Sequence, residues 1–446
     1  MTDGINTREL ILSILLSVNR DGEYSHLAIG NILDKYRYLD RKDKSFIRMV
    51  AEGTIERKLT LDFIISRYST IKVNKMKPVI REILRMSTYQ MKFMDQIPDS
   101  AVCNEAVKLA GRKGFHNLKG FVNGVLRSMA RDEEEIEYPD DSVRYSMPSW
   151  LCDAFQTWYG PQKAQKMMAA SIGKRPLTIR CNLRKNTPDE LKGLLMKEEC
   201  TVEESGVLKE AFYLSGMPSL TGLACFQQGR FAVQDISSIL AGIVAAPEKG
   251  SHIIDVCAAP GGKSIHLAGM MEDTGTVDAR DLSDYKIGLI SENMERIGCT
   301  NMTLRVQDAL VLRKEDIALA DLVVADLPCS GLGVLARKSD LKYRIQPEDL
   351  DALVLLQRKI LKVVSQYVKP GGILLYSTCT VNPAENIENV KFIEKELPFE
   401  RVSVKEHLPK GFEQVEGEQG CIQLLQGIDP CDGFFIAKLQ RRKGDL

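Results

Sequence analysis

A chain of 446 residues exceeds the size at which one hydrophobic core usually stops growing, so two or three domains are expected. The hydrophobic fraction of 44% is that of a globular protein. The first residues pass without a basic stretch into a helical pattern, and no run of about 18 apolar residues offers a membrane helix, so a soluble, unprocessed cytoplasmic protein with no membrane partner is expected. Lys+Arg and Asp+Glu are equal at 60 each, yet residues 1–131 hold 23 Lys+Arg against 14 Asp+Glu. This split joins a basic N-terminal module to a mildly acidic body and suggests a polyanionic partner. The eleven cysteines are odd in number and form no C-x-x-C pair, which speaks against a disulfide framework and a zinc site; no metal is expected.

The first 130 residues show only helical periodicity. A helix over 7–18 carries Leu10, Ile11, Ile14, Leu15 and Val18 on one face. One helix is read over 44–61 through Ile47, Val50, Ile55 and Leu59, and another over 79–94. Ser100 caps a further helix with Glu105 in its early turns, and a last one runs from 118 to 129. Residues 1–131 are therefore read as an all-α domain, closed by the charged, proline-containing joint at 131–141.

Residues 142–236 mix types: a helix over 149–159, a strand over 176–182, a helix over 188–197 and short strands at 211–214 and 231–233. This predicts a small α+β connecting domain. In 237–446, from His252 onward, apolar strands alternate with amphipathic helices, the helices spanning 264–271, 284–297, 347–368 and 383–395. That alternation predicts a Rossmann-like α/β domain, a parallel sheet with helices on both faces.

In such a sheet ligands sit beyond the carboxyl ends of the strands, where strand order reverses. The first strand end reads Asp255-Val-Cys257-Ala258-Ala259-Pro260-Gly261-Gly262-Lys263-Ser264. Gly262-Lys263-Ser264 matches the end of a P-loop, but Cys257 stands where its first glycine belongs, and G-x-G-x-x-G is not matched either. S-adenosylmethionine asks less: a tight turn, an acid for its ribose hydroxyls and polar groups for its adenine. Asp281 ends the second strand about 20 residues past the glycines, with Asp278 as an alternative, and Asp308 follows the third strand, placed to accept from an adenine amino group.

The fourth strand ends in Asp326-Leu-Pro-Cys329-Ser-Gly-Leu-Gly and the fifth in Tyr376-Ser-Thr-Cys379-Thr. A packing cysteine belongs inside a strand, whereas these two lie in loops and point at one crevice. Cys379 is also expected just before a helix capped near Asn382 with Pro383 in its first turn, a setting that lowers a thiol's pKa toward the nucleophilic thiolate.

DVCAAPGGK, DLPCSGLG and YSTCT resemble the signature blocks of the RNA 5-methylcytosine methyltransferases, the NOL1/NOP2/Sun family. AVCNEAVKLAGRKGFHNLKGFVNGVLR resembles the NusB-type RNA-binding helical domain, while YSMPSWL, RCNLRKNT and GRFAVQDISS resemble the connecting domain of the branch acting on 16S ribosomal RNA. The resemblance covers nearly the whole chain. It implies transfer of a methyl group from S-adenosylmethionine to C5 of one cytosine, with cytosine 967 of 16S ribosomal RNA as the expected target.

Carried over by position, the resemblance makes Cys379 the nucleophile that adds to cytosine C6. Cys329 would assist loss of the C5 proton and product release, Asp326 would hydrogen-bond N3 and N4 of the ring, and Lys263 would orient groups near the base or the methionine end of the cofactor. Residues 257–263, Asp281 and Asp308 match the cofactor positions. Leu327, Leu332 and Ser339 depart from the usual pattern without removing a reacting atom. The loop after Cys329 gathers Arg337, Lys338, Lys342 and Arg344 around Tyr343, and phosphate contacts are expected there. A monomer is expected. The alternatives are the same chemistry on a transfer RNA or another ribosomal site, and a non-catalytic RNA-binding assembly factor; the latter could dispense with the thiols and acids that this chain keeps.

Overall fold

The computed structural model describes residues 6–173, 175–217, 219–272, 274–412 and 416–444. The chain divides into two compact units, Met1–Lys174 with Leu335–Arg344, and Arg175–Val334 with Ile345–Leu446.

In the first unit the helices Thr7–Asn19, Ser25–Lys35, Arg41–Glu56, Lys58–Tyr68, Pro78–Phe93, Asp99–Arg112 and Lys119–Arg131 form the expected bundle. Ile11, Leu12, Ile14 and Leu15 are wholly buried in its core with Ile47, Ile64, Ile83 and Leu126. The single helix expected over 44–61 is two. The chain breaks at Arg57, whose φ and ψ of −101° and 22° leave the helical range, while the apolar stripe continues across the break and hides it from periodicity. The helix Ser25–Lys35 was not expected.

An ionic cluster lies within this bundle. Arg85 donates to both carboxylate oxygens of Asp62 at 2.6 and 2.7 Å and to Glu82 Oε1 at 2.7 Å, and the Glu82 side chain is 1% exposed. Arg85→Met would leave Glu82 buried without its main cation, so the unit should lose about 3–5 kcal/mol. A denaturant-unfolding curve followed by helical circular dichroism checks this; an unchanged midpoint refutes it.

The helix Ser149–Tyr159, expected to open the connecting domain, belongs to this first unit, together with the unexpected helices Asp141–Arg144 and Pro161–Ala170. The basic loop joins them. Tyr343 Oη donates to the carbonyls of Glu56 and Ser146 at 2.7 and 2.8 Å, and the ammonium of Lys58 lies 4.0 Å from the Tyr343 ring centroid.

In the second unit, β1 (Leu177–Cys181), β2 (Thr201–Glu204), β3 (Ala211–Ser215) and β4 (Phe231–Val233) form an antiparallel sheet in the order β2-β3-β1-β4. Against it packs the helix Pro188–Lys197, which starts on a capping box between Thr187 and Glu190 with Pro188 in its first turn. The larger sheet contains β5 (His252–Asp255), β6 (Thr276–Asp281), β7 (Met302–Val306), β8 (Ala320–Asp326) and β9 (Val368–Thr378). It continues through β10 (Phe399–Arg401), β11 (Glu416–Glu418), β12 (Cys421–Leu424) and β13 (Phe434–Arg441). Its order is β11-β12-β13-β9-β8-β5-β6-β7, parallel from β9 to β7 and antiparallel on the β13 side.

The antiparallel flank and the helix Ile236–Ala245 were not anticipated from the sequence. Apolar clusters cover both faces of the parallel part, as continuous runs such as Leu322–Ala325 require. The strand order reverses between β5 and β8, so the residues after those two strands share one crevice. Among the described residues no helix is long and apolar enough to cross a membrane.

Candidate active site

Every strand of the parallel sheet delivers its last residues to this crevice. After β5 the chain turns through Gly261, whose φ of +100° belongs to the left-handed region; a Cβ there would sit 3.1 Å from Ile290 Cγ2. Gly262 then opens the helix Gly262–Met270, and a Cβ on it would meet nothing within 4 Å, so the helix N-terminus faces open space.

Asp255, at the end of β5, is 1% exposed. Ser264 Oγ donates to its Oδ2 at 2.5 Å, while Oδ1 is buried without a partner. Burial pushes its carboxyl up to about 7, with the neighbouring Asp326 adding to the shift.

At the end of β6, Asp281 accepts from the backbone N–H of Ala259 at 3.0 Å and from Lys286 Nζ at 2.8 Å, which ties the strand end to the glycine loop. Asp278, the alternative acid, is taken by Arg280, which donates to it at 2.5 and 2.9 Å. Asp308 is exposed after β7 and caps its own turn, accepting from Leu310 N at 2.9 Å.

Asp326, at the end of β8, accepts from Lys263 Nζ at 2.6 Å and from Ser377 Oγ at 2.7 Å. Burial disfavours the Lys263 ammonium, but the charge and hydrogen bond of Asp326, helped by Asp255, outweigh it and hold its pKa above the ordinary lysine value.

The loops after β8 and β9 bring the two cysteines together, with Cys329 Sγ 3.3 Å from Cys379 Sγ. The hydrogen bond to Cys379, with burial and the charges of Cys379 and Glu385, raises the Cys329 pKa well above that of a free thiol. The contact is a hydrogen bond between the two thiols in which either sulfur can donate. The helix expected to begin near Pro383 starts at Ile387, because 383–386 are held in a turn in which Asn382 Oδ1 accepts from Ala384 N. Helix-terminus activation of Cys379 is therefore corrected: its sulfur is hydrogen-bonded to the neighbouring thiol of Cys329.

Sequence reasoning missed the clip that fixes this pair. The carboxylate of Glu385, 0% exposed, accepts from Ser330 N at 2.9 Å, Ser330 Oγ at 2.5 Å, Gln357 Nε2 at 2.9 Å and Asn382 Nδ2 at 3.0 Å. Ser330 Oγ also lies 2.6 Å from Thr380 Oγ1, and Gly333 N donates to Cys379 O at 3.1 Å. The only sequence signal was a lone acid in NPAEN directly after the second cysteine block.

The basic loop does not present the contacts expected of it. Lys342 is 0% exposed, its Nζ donating to Tyr145 O at 3.3 Å, and burial drives its pKa down to about 7. Arg344 donates to Asp340 at 2.8 Å, to Gly22 O at 2.8 Å and to Glu23 O. Both side chains fasten the first unit internally and are corrected as RNA contacts; Arg337 and Lys338 are exposed.

Residues 242–440 match the 16S rRNA methyltransferase RsmB/F family, residues 5–131 the NusB family and residues 147–221 the RsmF/B-like ferredoxin-like domain. The chain is similar to the probable ribosomal RNA small subunit methyltransferase B of Bacillus subtilis, with 33% identity over 98% of this chain and 99% of that protein. The fold is similar to that of PH0851 (TM-score 0.82, 22% identity, 98% of this chain and 99% of that one). It is also similar to that of NSun6 from Pyrococcus horikoshii, whose structure was determined with SFG (TM-score 0.59, 24% identity, 67% and 99%).

Proposed function

Since the chain belongs to the 16S rRNA methyltransferase RsmB/F family, enzymes that form 5-methylcytosine in small-subunit ribosomal RNA with S-adenosylmethionine, we propose that Cys379 attacks C6 of one cytosine, cytosine 967, during the transfer. The observation that carries this reading is the 3.3 Å separation of the two sulfurs beside the Asp326 carboxylate. Cytosine C5 is a poor nucleophile, and a thiolate adding to C6 turns it into an enamine-like carbon. A hydrogen bond donated by the Cys329 S–H stabilises Cys379 as that thiolate. Asp326 faces N3 and N4 of the ring, where charge develops, and Lys263 holds the orientation of Asp326.

S-adenosylmethionine supplies the electrophilic methyl group when bound. The residues fit it: the open helix N-terminus at Gly262 suits its carboxylate, the unpartnered Oδ1 of Asp255 suits its ammonium, Asp281 would take the ribose hydroxyls and Asp308 the adenine amino group. Residues 257–263 would line its loop. After transfer the C5 proton leaves to solvent and the C6–S bond breaks. Cys329, whose sulfur lies 3.3 Å from that of Cys379, assists loss of the C5 proton and release of the product in this step. The enzyme is placed in the cytoplasm with its ribosomal substrate. Bisulfite mapping of 16S ribosomal RNA from cells lacking the protein should show one cytosine newly converted; unchanged protection at every site overturns the reading.

The helical unit is assigned the RNA grip. A cleft of about 730 Å³, mouth included, is lined by Asn104, Lys108, Lys119 and Asn123 in the basic segment. Lys108→Gln with Lys119→Gln should lower RNA affinity and flatten the dependence of log K on log salt by about 1.4–1.8. A filter-binding titration across salt concentrations measures it, and an unchanged slope refutes the assignment.

A further inference from the structure

The search beyond the catalytic crevice leads to Arg180 on β1. Its residue is 9% exposed, its Nε donates to Gln234 Oε1 at 2.7 Å, and no described carboxylate pairs with it. A buried guanidinium without a counter-charge is costly, and folds keep one where an anion completes it. Burial lowers its pKa to about 10.

Arg180 lines a cleft of about 560 Å³, mouth included, whose walls include Leu183, Ile265, Met270 and Ile297; Glu210 on the same lining acts on Arg180 through its charge, but burial outweighs it. Beside it lie the exposed Arg184 and Lys185. The ammonium of Lys185 is held by the carbonyls of Gln228 and Arg296 at 2.8 and 3.2 Å. Burial lowers its pKa, and the like charges of Arg296, Arg184 and Arg230 add to that shift, the mark of a cationic cluster.

We propose that this cleft binds a nucleotide of the ribosomal RNA, with Arg180 taking a phosphate in its planar fork and the apolar walls taking the sugar or base. The cation inside and the cationic rim outside both favour a polyanion that threads past, and the family's substrate is one. The helix Gly262–Met270 connects the cofactor loop to the cleft, so Met270 lies about 12 Å along the helix from its start. The nucleotide held here is therefore not the one methylated. The inference stands on the RNA substrate and not on the roles of the cysteines.

The test uses the full chain, 16S ribosomal RNA and Arg180→Met. RNA affinity at low salt should fall about tenfold and the salt slope by about 0.7–0.9. At saturating RNA, kcat should be unchanged. The free protein's melting temperature should hold or rise, because an uncompensated buried charge has gone; a purely structural arginine would lower it. Arg180→Lys should keep the slope. If Arg180→Met fails to fold, Arg184→Gln carries the same slope measurement. Unchanged affinity and slope overturn the proposal, as does a result in which inorganic phosphate raises the wild-type melting temperature while the variants bind RNA normally, since the site then serves a free phosphate.

Discussion

Cys379→Ala should reduce methyl transfer by at least about 10⁴-fold, because it removes the sulfur that adds to C6 and leaves Cys329 in the loop after β8, 3.3 Å away, without the attacking position. Cys329→Ala should behave differently. It keeps the nucleophile and removes the thiol that assists loss of the C5 proton and release of the product, so protein joined to RNA should accumulate and run as a retarded band on a denaturing gel. A retarded band from Cys379→Ala, and none from Cys329→Ala, would reverse the assignment. Both variants should fold, since the clip at Glu385 holds the two loops through Ser330, Gln357 and Asn382 and not through sulfur.

The second large effect is expected at Asp326. Asp326→Asn preserves shape but removes the charge opposite Lys263 and the carboxylate that faces the ring, and methyl transfer should fall about 10²–10³-fold in kcat. Stability should change with pH in a defined sense. The Lys263 pKa is raised in the folded protein, so the ion pair's contribution is fully present below the ordinary lysine value and is lost as pH rises through the raised one. In Asp326→Asn burial of the ammonium is unopposed by this partner, so the melting temperature near neutral pH should fall and the gap to wild type should narrow as pH rises. Melting curves from pH 7 to strongly alkaline solution check both; a gap that stays constant overturns the ion-pair account.

What could be read in the chain followed from features that declare themselves locally. Alternating apolar strands and helices gave the parallel sheet, and strand-end position separated Cys329 and Cys379 from nine other cysteines. Asp281 and Asp326 lie at the ends of β6 and β8, and Asp326 pairs with Lys263 in the helix that follows the glycine loop. The misses are non-local. Among the described residues Glu385 has no ion-pair partner, and its role exists only where four hydrogen-bond donors converge. β10, β11 and β12 are short strands, held in the sheet through β13, which pairs antiparallel with the edge that β9 offers. Lys342 and Arg344 looked like a solvated basic loop because composition reports charge and not burial.

The segment Leu335–Arg344 is part of the N-terminal unit although some 160 residues separate it from Lys174. At about 5–20 residues per second, a ribosome would need roughly 8–32 s to deliver it after the rest of that unit has emerged. During that interval the carbonyls of Glu56, Tyr145 and Ser146 lack the donors that later satisfy them. The unit that leaves the ribosome first is thus among the last to be finished.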